Sequence, residues 1–194
     1  MPKLTRADLY SLEKYAEIRA DFRARVIAHK KNRRVPLGEH AALYFEDALT
    51  MQYQVQEMLR IERIFEAKGI QEELDVYNPL IPDGCNWKAT FMLEYGDEAE
   101  RRAALARLVG VEHAIWMRVE GFGKVSPLAN EDLDRSTDDK TASVHFMRFE
   151  LSPGMVAAVK NGAAISAGID HPNLRTGLSP LPAPLREALA ADLG

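Results

Sequence analysis

Trp87-Lys88-Ala89-Thr90-Phe91-Met92-Leu93-Glu94-Tyr95 is where the sequence changes its period. Trp87, Ala89, Phe91, Leu93 and Tyr95 alternate with Lys88, Thr90, Met92 and Glu94. Successive side chains of a strand leave opposite faces, so this period of two predicts a half-buried strand. Downstream, most segments also read as strands: Ala114 to Glu120, a weaker stretch from Lys124 to Ala129, Thr141 to Leu151 as the longest, and Ala164 to Ile169. A charged helix from about Asp97 to Leu108, stopped by Gly110, and a short one from Pro153 to Lys160 interrupt them. Asn130 to Lys140 is acidic and polar, as expected of a surface loop.

Upstream, the period is mainly helical. Ala48 to about Lys68 places Met51, Val55, Met58 or Leu59, and Phe65 on one face, with Gly69 positioned to stop the helix. A second, short helix covers roughly Ile70 to Tyr77, and Pro82, Asp83 and Gly84 mark the loop that follows. Val35 to Asp47 reads as an extended segment or hairpin, with Pro36 confining its first part to an edge. The N-terminus carries helix start signals in Thr5, Asp8 and a Leu4/Leu9 staple. The helix they open is expected to break near Tyr15 to Ala20, with Ile18, Phe22, Val26 and His29 on one stripe of its second half. Lys30, Lys31, Arg33 and Arg34 suit a helix C-terminus, where the macrodipole favours cations. Helices crowding the first half and strands the second predict an α+β fold, its helix-rich N-terminal half packed on a mixed or antiparallel sheet from the C-terminal half. Residues 1–175 form one expected domain, and 176–194 a Pro-rich tail with a short helix in which Leu185, Leu189 and Leu193 stack.

The 194 residues are 46% hydrophobic and 28% charged, enough for a sizeable core. Twenty-five basic against 29 acidic side chains leave a net charge of -4, which disfavours general nucleic-acid binding. Cys85 is the single cysteine, so no internal disulfide or Cys-rich metal site is expected. No apolar run approaches the length of a membrane span and the start lacks a leader-like apolar region, so the expected address is the cytoplasm, with no membrane contact.

Five histidines (His29, His40, His113, His145, His171) include no pair at the spacing of one helical turn, and no Glu-x-x-His motif occurs. A metal site would have to assemble from separate elements. Glu46, Glu57, His145 and His171 are the candidate ligands, a mixed imidazole and carboxylate set suited to iron, manganese or zinc. The plainer reading of His145 is a satisfied core residue. His29 reads as a packed or capping residue, and Asp170-His171-Pro172 as a turn in which Asp170 could also orient the imidazole. Arg60 and Arg148 are candidates for holding an anionic group. Cys85 lies in a loop without a nucleophile signature. Gly121-Phe122-Gly123-Lys124 lacks the spacing of a phosphate loop and reads as a turn. Asp132, Asp134, Ser136 and Asp138 mimic a calcium loop, but Thr137 stands where glycine is needed and Ser143 where a bidentate glutamate is needed.

Lys3-Leu4-Thr5-Arg6-Ala7-Asp8-Leu9, Ala28-His29-Lys30-Lys31-Asn32-Arg33-Arg34, Met51-Gln52-Tyr53-Gln54-Val55-Gln56-Glu57-Met58, Tyr77-Asn78-Pro79-Leu80-Ile81-Pro82-Asp83-Gly84 and Gly168-Ile169-Asp170-His171-Pro172 together span nearly the whole chain. Through them it resembles the bacterial domain-of-unknown-function family 3501, associated with gene neighbourhoods of rubrerythrin-like proteins and iron–sulfur oxidoreductases. The resemblance carries no catalytic residues. It implies a non-catalytic accessory protein of cytoplasmic redox or peroxide handling, with a rubrerythrin-like or iron–sulfur protein as partner. The alternative is a metal-binding protein or metalloenzyme. A homo-oligomer is also expected, because the apolar side chains of Met51 to Phe65 exceed what one helix face requires.

Overall fold

A computed structural model describes residues 3–133, 135–137 and 139–194; Asp134 and Asp138 of the acidic loop lie outside the described residues. In chain order the elements are α1 (Leu12–Lys30), β1 (Arg34–Pro36), β2 (Ala41–Phe45), α2 (Ala48–Glu62), α3 (Ala67–Tyr77), β3 (Asn86–Leu93), α4 (Glu98–Arg107), α5 (Val111–Ala114), β4 (Ile115–Val119), β5 (Lys124–Val125), β6 (Leu128–Ala129), β7 (Val144–Glu150), α6 (Pro153–Lys160), β8 (Ile165–His171), β9 (Leu174–Leu178) and α7 (Ala183–Ala191). The fold is α+β, as the change of period predicts.

Two antiparallel sheets stand in place of the single sheet expected. The larger runs β1-β2-β3-β7-β6, with β3 at its centre and β1, the Pro36 strand, at its edge. The smaller runs β5-β4-β8-β9. One stretch of sequence is divided between them: Lys124 and Val125 pair with β4, whereas Leu128 and Ala129 pair with β7. Pro127 separates the two pairs; having no N–H, it cannot donate to a ladder, and the chain changes sheets there. The N-terminal half also supplies two strands of the larger sheet, a contribution that the half-by-half reading assigned only to the C-terminal half.

The inner faces meet in one core. Leu43, Phe45, Trp87, Phe91 and Phe149 from the larger sheet pack with Ile115, Met117, Ile165 and Ile169 from the smaller, and Leu181, Leu185, Leu189 and Leu193 join the same cluster. The 175/176 boundary therefore falls inside β9, and the Pro-rich segment contributes leucines to the main core. Trp87 anchors it further by donating its indole N–H to Leu189 O at 2.9 Å.

The helices α1 to α3 form a separate layer with apolar clusters of their own, Tyr15, Phe22 and Val26 in one and Val55, Leu59 and Leu74 in the other. The expected break near Tyr15 is absent. Thr5 and Asp8 close only a 3-10 turn over Arg6–Asp8, and Ser11 then caps an uninterrupted α1, accepting from Lys14 N at 3.2 Å. α2 opens on an Asp47/Thr50 capping box, each side chain accepting from the other's backbone N–H at 2.9 Å. It ends at Arg63, with φ of 54°, rather than at Gly69. Gly69 lies within α3, where an added Cβ would approach Ile64 Cγ2 to 2.7 Å, so its small size lets α3 fold back tightly on the end of α2. Among the described residues no helix is long and apolar enough to cross a membrane.

Candidate functional site

The strand period that builds the core also dictates what faces outward from the larger sheet. On β7, His145, Met147 and Phe149 are buried while Phe146, Arg148 and Glu150 are less so; on β3, Lys88 faces outward with them. Lys88 stands directly across from Arg148 in the register, and Thr90 across from Phe146. The end of α3 and the 3-10 turn Asn78–Leu80 lie opposite this outer face, and the loop after β6 closes one side. Between them is a cleft of about 640 Å³, within the usual size of a small-molecule site. Val76, Tyr77, Leu80 and Phe146 supply apolar wall, and Lys88 and Arg148 lie on the sheet side. Lys3 fixes the opposite wall, donating to Asn78 O at 2.9 Å and Ile81 O at 2.8 Å.

The cations of the cleft differ in how they are held. Arg148 donates Nε and one terminal nitrogen to the two oxygens of Glu131 at 2.8 and 2.6 Å, and its other terminal nitrogen to Glu150. This pairing holds the Glu131 carboxyl below its usual range. Arg135 lies 4.7 Å from the centre of the Phe146 ring and pairs with Asp132 at 2.5 Å. The Lys88 side chain is half-buried and, among the described residues, makes no hydrogen bond or ion pair. Burial first and the Arg148 charge second push its ammonium below the usual lysine range, with Glu131 opposing. Like charges directly opposed on adjacent strands are unfavourable.

The loop that supplies Glu131, Asp132 and Arg135 is fixed at both feet by one side chain. His145 is fully buried. Its Nε2 faces Thr141 Oγ1 at 2.8 Å and Ala142 O at 3.0 Å, while Nδ1 faces the Asn130 amide nitrogen at 3.0 Å. A carbonyl only accepts, so Nε2 carries the proton and Nδ1 accepts from Asn130. Thr141 and Ser136 in turn donate to Glu112 at 3.2 and 2.5 Å. Desolvation pushes the His145 imidazole below its usual pKa, against the Glu112 charge.

A second polar cluster ties the ends of the chain together. Arg33, from the basic run read as helix-terminal cations, is 3% exposed. It donates to Phe45 O at 3.0 Å and Glu46 O at 3.1 Å, and pairs with Asp47 at 3.3 Å and with Asp192. His29 meets Asp47 at 2.5 Å. Arg33 is the largest influence holding the Asp47 carboxyl down against its burial, whereas burial pushes Asp192 up to about 6.

The four candidate metal ligands are placed on separate elements with separate partners. Glu46 accepts from Thr90 at 2.8 Å, with its other oxygen buried and without a hydrogen-bond partner among the described residues. Glu57 accepts from Tyr15 at 2.7 Å and from Arg19 at 2.8 Å through each oxygen. His145 holds the loop, and His171 donates from Nε2 to Val109 O at 3.0 Å and accepts the Asn173 N–H on Nδ1 at 3.2 Å. Among the described residues no three His, Cys, Asp or Glu side chains are grouped to hold a metal ion. Asp170 pairs with Lys124 at 2.5 Å and does not orient His171. The two candidate anion-binding arginines are also apart: Arg148 lines the cleft, while Arg60, on α2, pairs with Glu57 at 3.3 Å. The Cys85 Sγ contacts Asp83 Oδ1 at 3.1 Å, and that carboxylate pushes the thiol above its usual range. Sequence reasoning missed Lys88, whose signal was its outward phase in the strand that decides the fold.

These sites draw on both ends of the chain, and the family model for proteins of unknown function DUF3501 matches residues 3–193. The chain belongs to the DUF3501 family. A crystal structure from Burkholderia pseudomallei K96243, described as a novel protein of unknown function, is 50% identical to this DUF3501 chain, with 100% of each chain covered and a TM-score of 0.94. Comparison with curated proteins finds no match.

Proposed function

We propose that this DUF3501 protein binds a small anionic molecule with an apolar or aromatic body in the cleft between α3 and the outer face of the larger sheet. The observation that carries this reading is Lys88, half-buried and without a partner among the described residues, beside an Arg148 fixed by two carboxylates. The charge of a ligand would complete the pairing that the chain leaves open at Lys88, and its body would cover Tyr77, Leu80 and Phe146.

Thermal unfolding with benzoate and phenylacetate as probes tests it. A ligand at about 100 times its Kd stabilises the folded state by about 2.7 kcal/mol. The wild-type melting temperature is expected to rise with either probe, and that of Lys88→Met to stay unchanged. Equal shifts in both proteins, or none in either, would refute the reading. The accessory part in redox handling, with a rubrerythrin-like or iron–sulfur partner, rests on the family resemblance. It would draw on a different surface, such as the exposed Ile61 and Phe65 at the end of α2.

A further inference from the structure

We propose that Lys88 is a carbonyl-reactive amine and that the anion of the cleft is a 2-oxo acid with an apolar or aromatic side chain, held as an imine. This rests on the cleft being an anion site, and adds the reaction.

Three features of the geometry point to it. First, a lysine in a cleft without a carboxylate partner is free to lose its proton, whereas an ion pair would hold it as ammonium. Lys88 makes no such pair among the described residues, and the carboxylates around it have other partners: Glu131 and Glu150 are held by Arg148, Asp132 by Arg135, Asp75 by Gln71, and Asp83 by Cys85 and Asn86, so that the Glu131 and Asp83 charges oppose burial and Arg148 only from a distance. Secondly, a cation placed beside a lysine raises its free-amine fraction, a recurrent way of activating a nucleophilic lysine. Arg148 occupies the directly opposed position on β7. Consistent with both, the ammonium is shifted below its ordinary range by burial and by Arg148. Thirdly, the same arginine can still serve a ligand. A guanidinium has five N–H donors, and Arg148 commits three of them to Glu131 and Glu150, leaving two. In a 2-oxo acid the carboxylate is bonded to the carbonyl carbon. An amine and a guanidinium on directly paired residues of adjacent strands, with Cα atoms about 4.5–5.5 Å apart, suit that adjacency. The apolar wall of Val76, Tyr77, Leu80 and Phe146 receives the side chain.

The step balances without a redox partner. The neutral Lys88 Nζ adds to the carbonyl carbon and a C–N bond forms. The carbonyl oxygen takes up protons and leaves as water, and the nitrogen, having lost its hydrogens to solvent, remains double-bonded to the former carbonyl carbon.

Phenylpyruvate is the probe, with borohydride added to reduce any imine to a stable secondary amine, followed by intact mass and peptide mapping of the full chain. The expected result is one adduct on Lys88, prevented by excess benzoate and lost in Lys88→Arg, with exposed lysines such as Lys68 as internal controls. Lys88→Arg keeps the positive charge but cannot form the imine, and its phenylpyruvate-induced thermal shift is expected to be smaller than that of the wild type. A thermal shift in the wild type with no adduct overturns the imine and leaves the anion site standing. No shift and no adduct overturns both, and labelling spread evenly over the lysines overturns the assignment to Lys88.

Discussion

Replacing Arg33 by methionine tests whether the charge cluster joining α1, α2 and α7 stabilises the fold. Methionine retains much of the length of the side chain and removes the guanidinium. Four acceptors then lose the guanidinium: the Phe45 and Glu46 carbonyls, the carboxylate of Asp47, which keeps Thr50 and His29, and that of Asp192, 2% exposed. Removing one partner of a buried ion pair costs about 3–5 kcal/mol, because a charge is left unpaired out of water. Against a total stability of about 5–15 kcal/mol, that is a large fraction. Urea unfolding followed by tryptophan fluorescence is the assay. Trp87 is a direct reporter, since its indole donates to Leu189 O in α7, the helix that Asp192 follows. The cost is expected in full at pH 7.5 and reduced at pH 5, where Asp47, no longer held ionised by the guanidinium, can take up a proton and Asp192, with a folded pKa of about 6, is already largely protonated. The double variant Arg33→Met/Asp192→Leu is expected to recover part of the loss, because an apolar pair leaves fewer charges uncompensated. A single variant within about 1 kcal/mol of wild type at pH 7.5, the floor set by an exposed ion pair, would refute the argument.

Asp192 alone makes a pH prediction. Its folded pKa of about 6 lies above an unfolded value of about 3.9, so its contribution is fully present below the latter and lost as pH rises through the former. The stability of wild type minus that of Asp192→Asn should therefore fall by about 2–2.5 kcal/mol between pH 4 and pH 7.5 in parallel urea titrations; a flat difference would contradict the burial argument. Glu57 has the opposite sign: Arg19 first, with help from Tyr15 and Arg60, holds it at about 2. Glu57→Gln should cost about 1–2 kcal/mol at pH 7, discounted because Arg19 is 36% exposed, and that cost should disappear as pH falls from about 4.5 towards 2. Gly168→Ala would bring a Cβ to 2.3 Å from Trp116 and 2.8 Å from Thr176 O. It is expected to lower stability by about 1–3 kcal/mol and to change Trp116 emission; an unperturbed melting curve would refute the packing.

The sequence was most legible where local physics governs. Period-two alternation fixed Asn86–Leu93 as a strand and named its buried face, and Pro36 correctly marked an edge. Proline at the start of α6 and the leucine stripe of α7 were equally direct. Helix ends were less so. Arg63 adopts a left-handed conformation that nothing in its residue type demands, and Gly69 serves close helix packing where the sequence suggested a stop. The candidate ligands show a further limit of local pattern. Residue type says which groups could bind a metal, but Glu46, Glu57 and His171 met partners from distant parts of the chain, and His145 met Asn130, Thr141 and Ala142.

What the sequence by itself determined was the alternation of faces and with it the α+β class, because side-chain phase along a strand or helix depends only on local geometry. Tertiary structure alone decided that the strands split into two sheets at Pro127, that Arg33 is a buried strut, and that Lys88 stands opposite Arg148 with no carboxylate paired to it among the described residues. Partnership of charges is a property of pairs brought together across 60 residues in the last case and 159 between Arg33 and Asp192, and no local pattern encodes it.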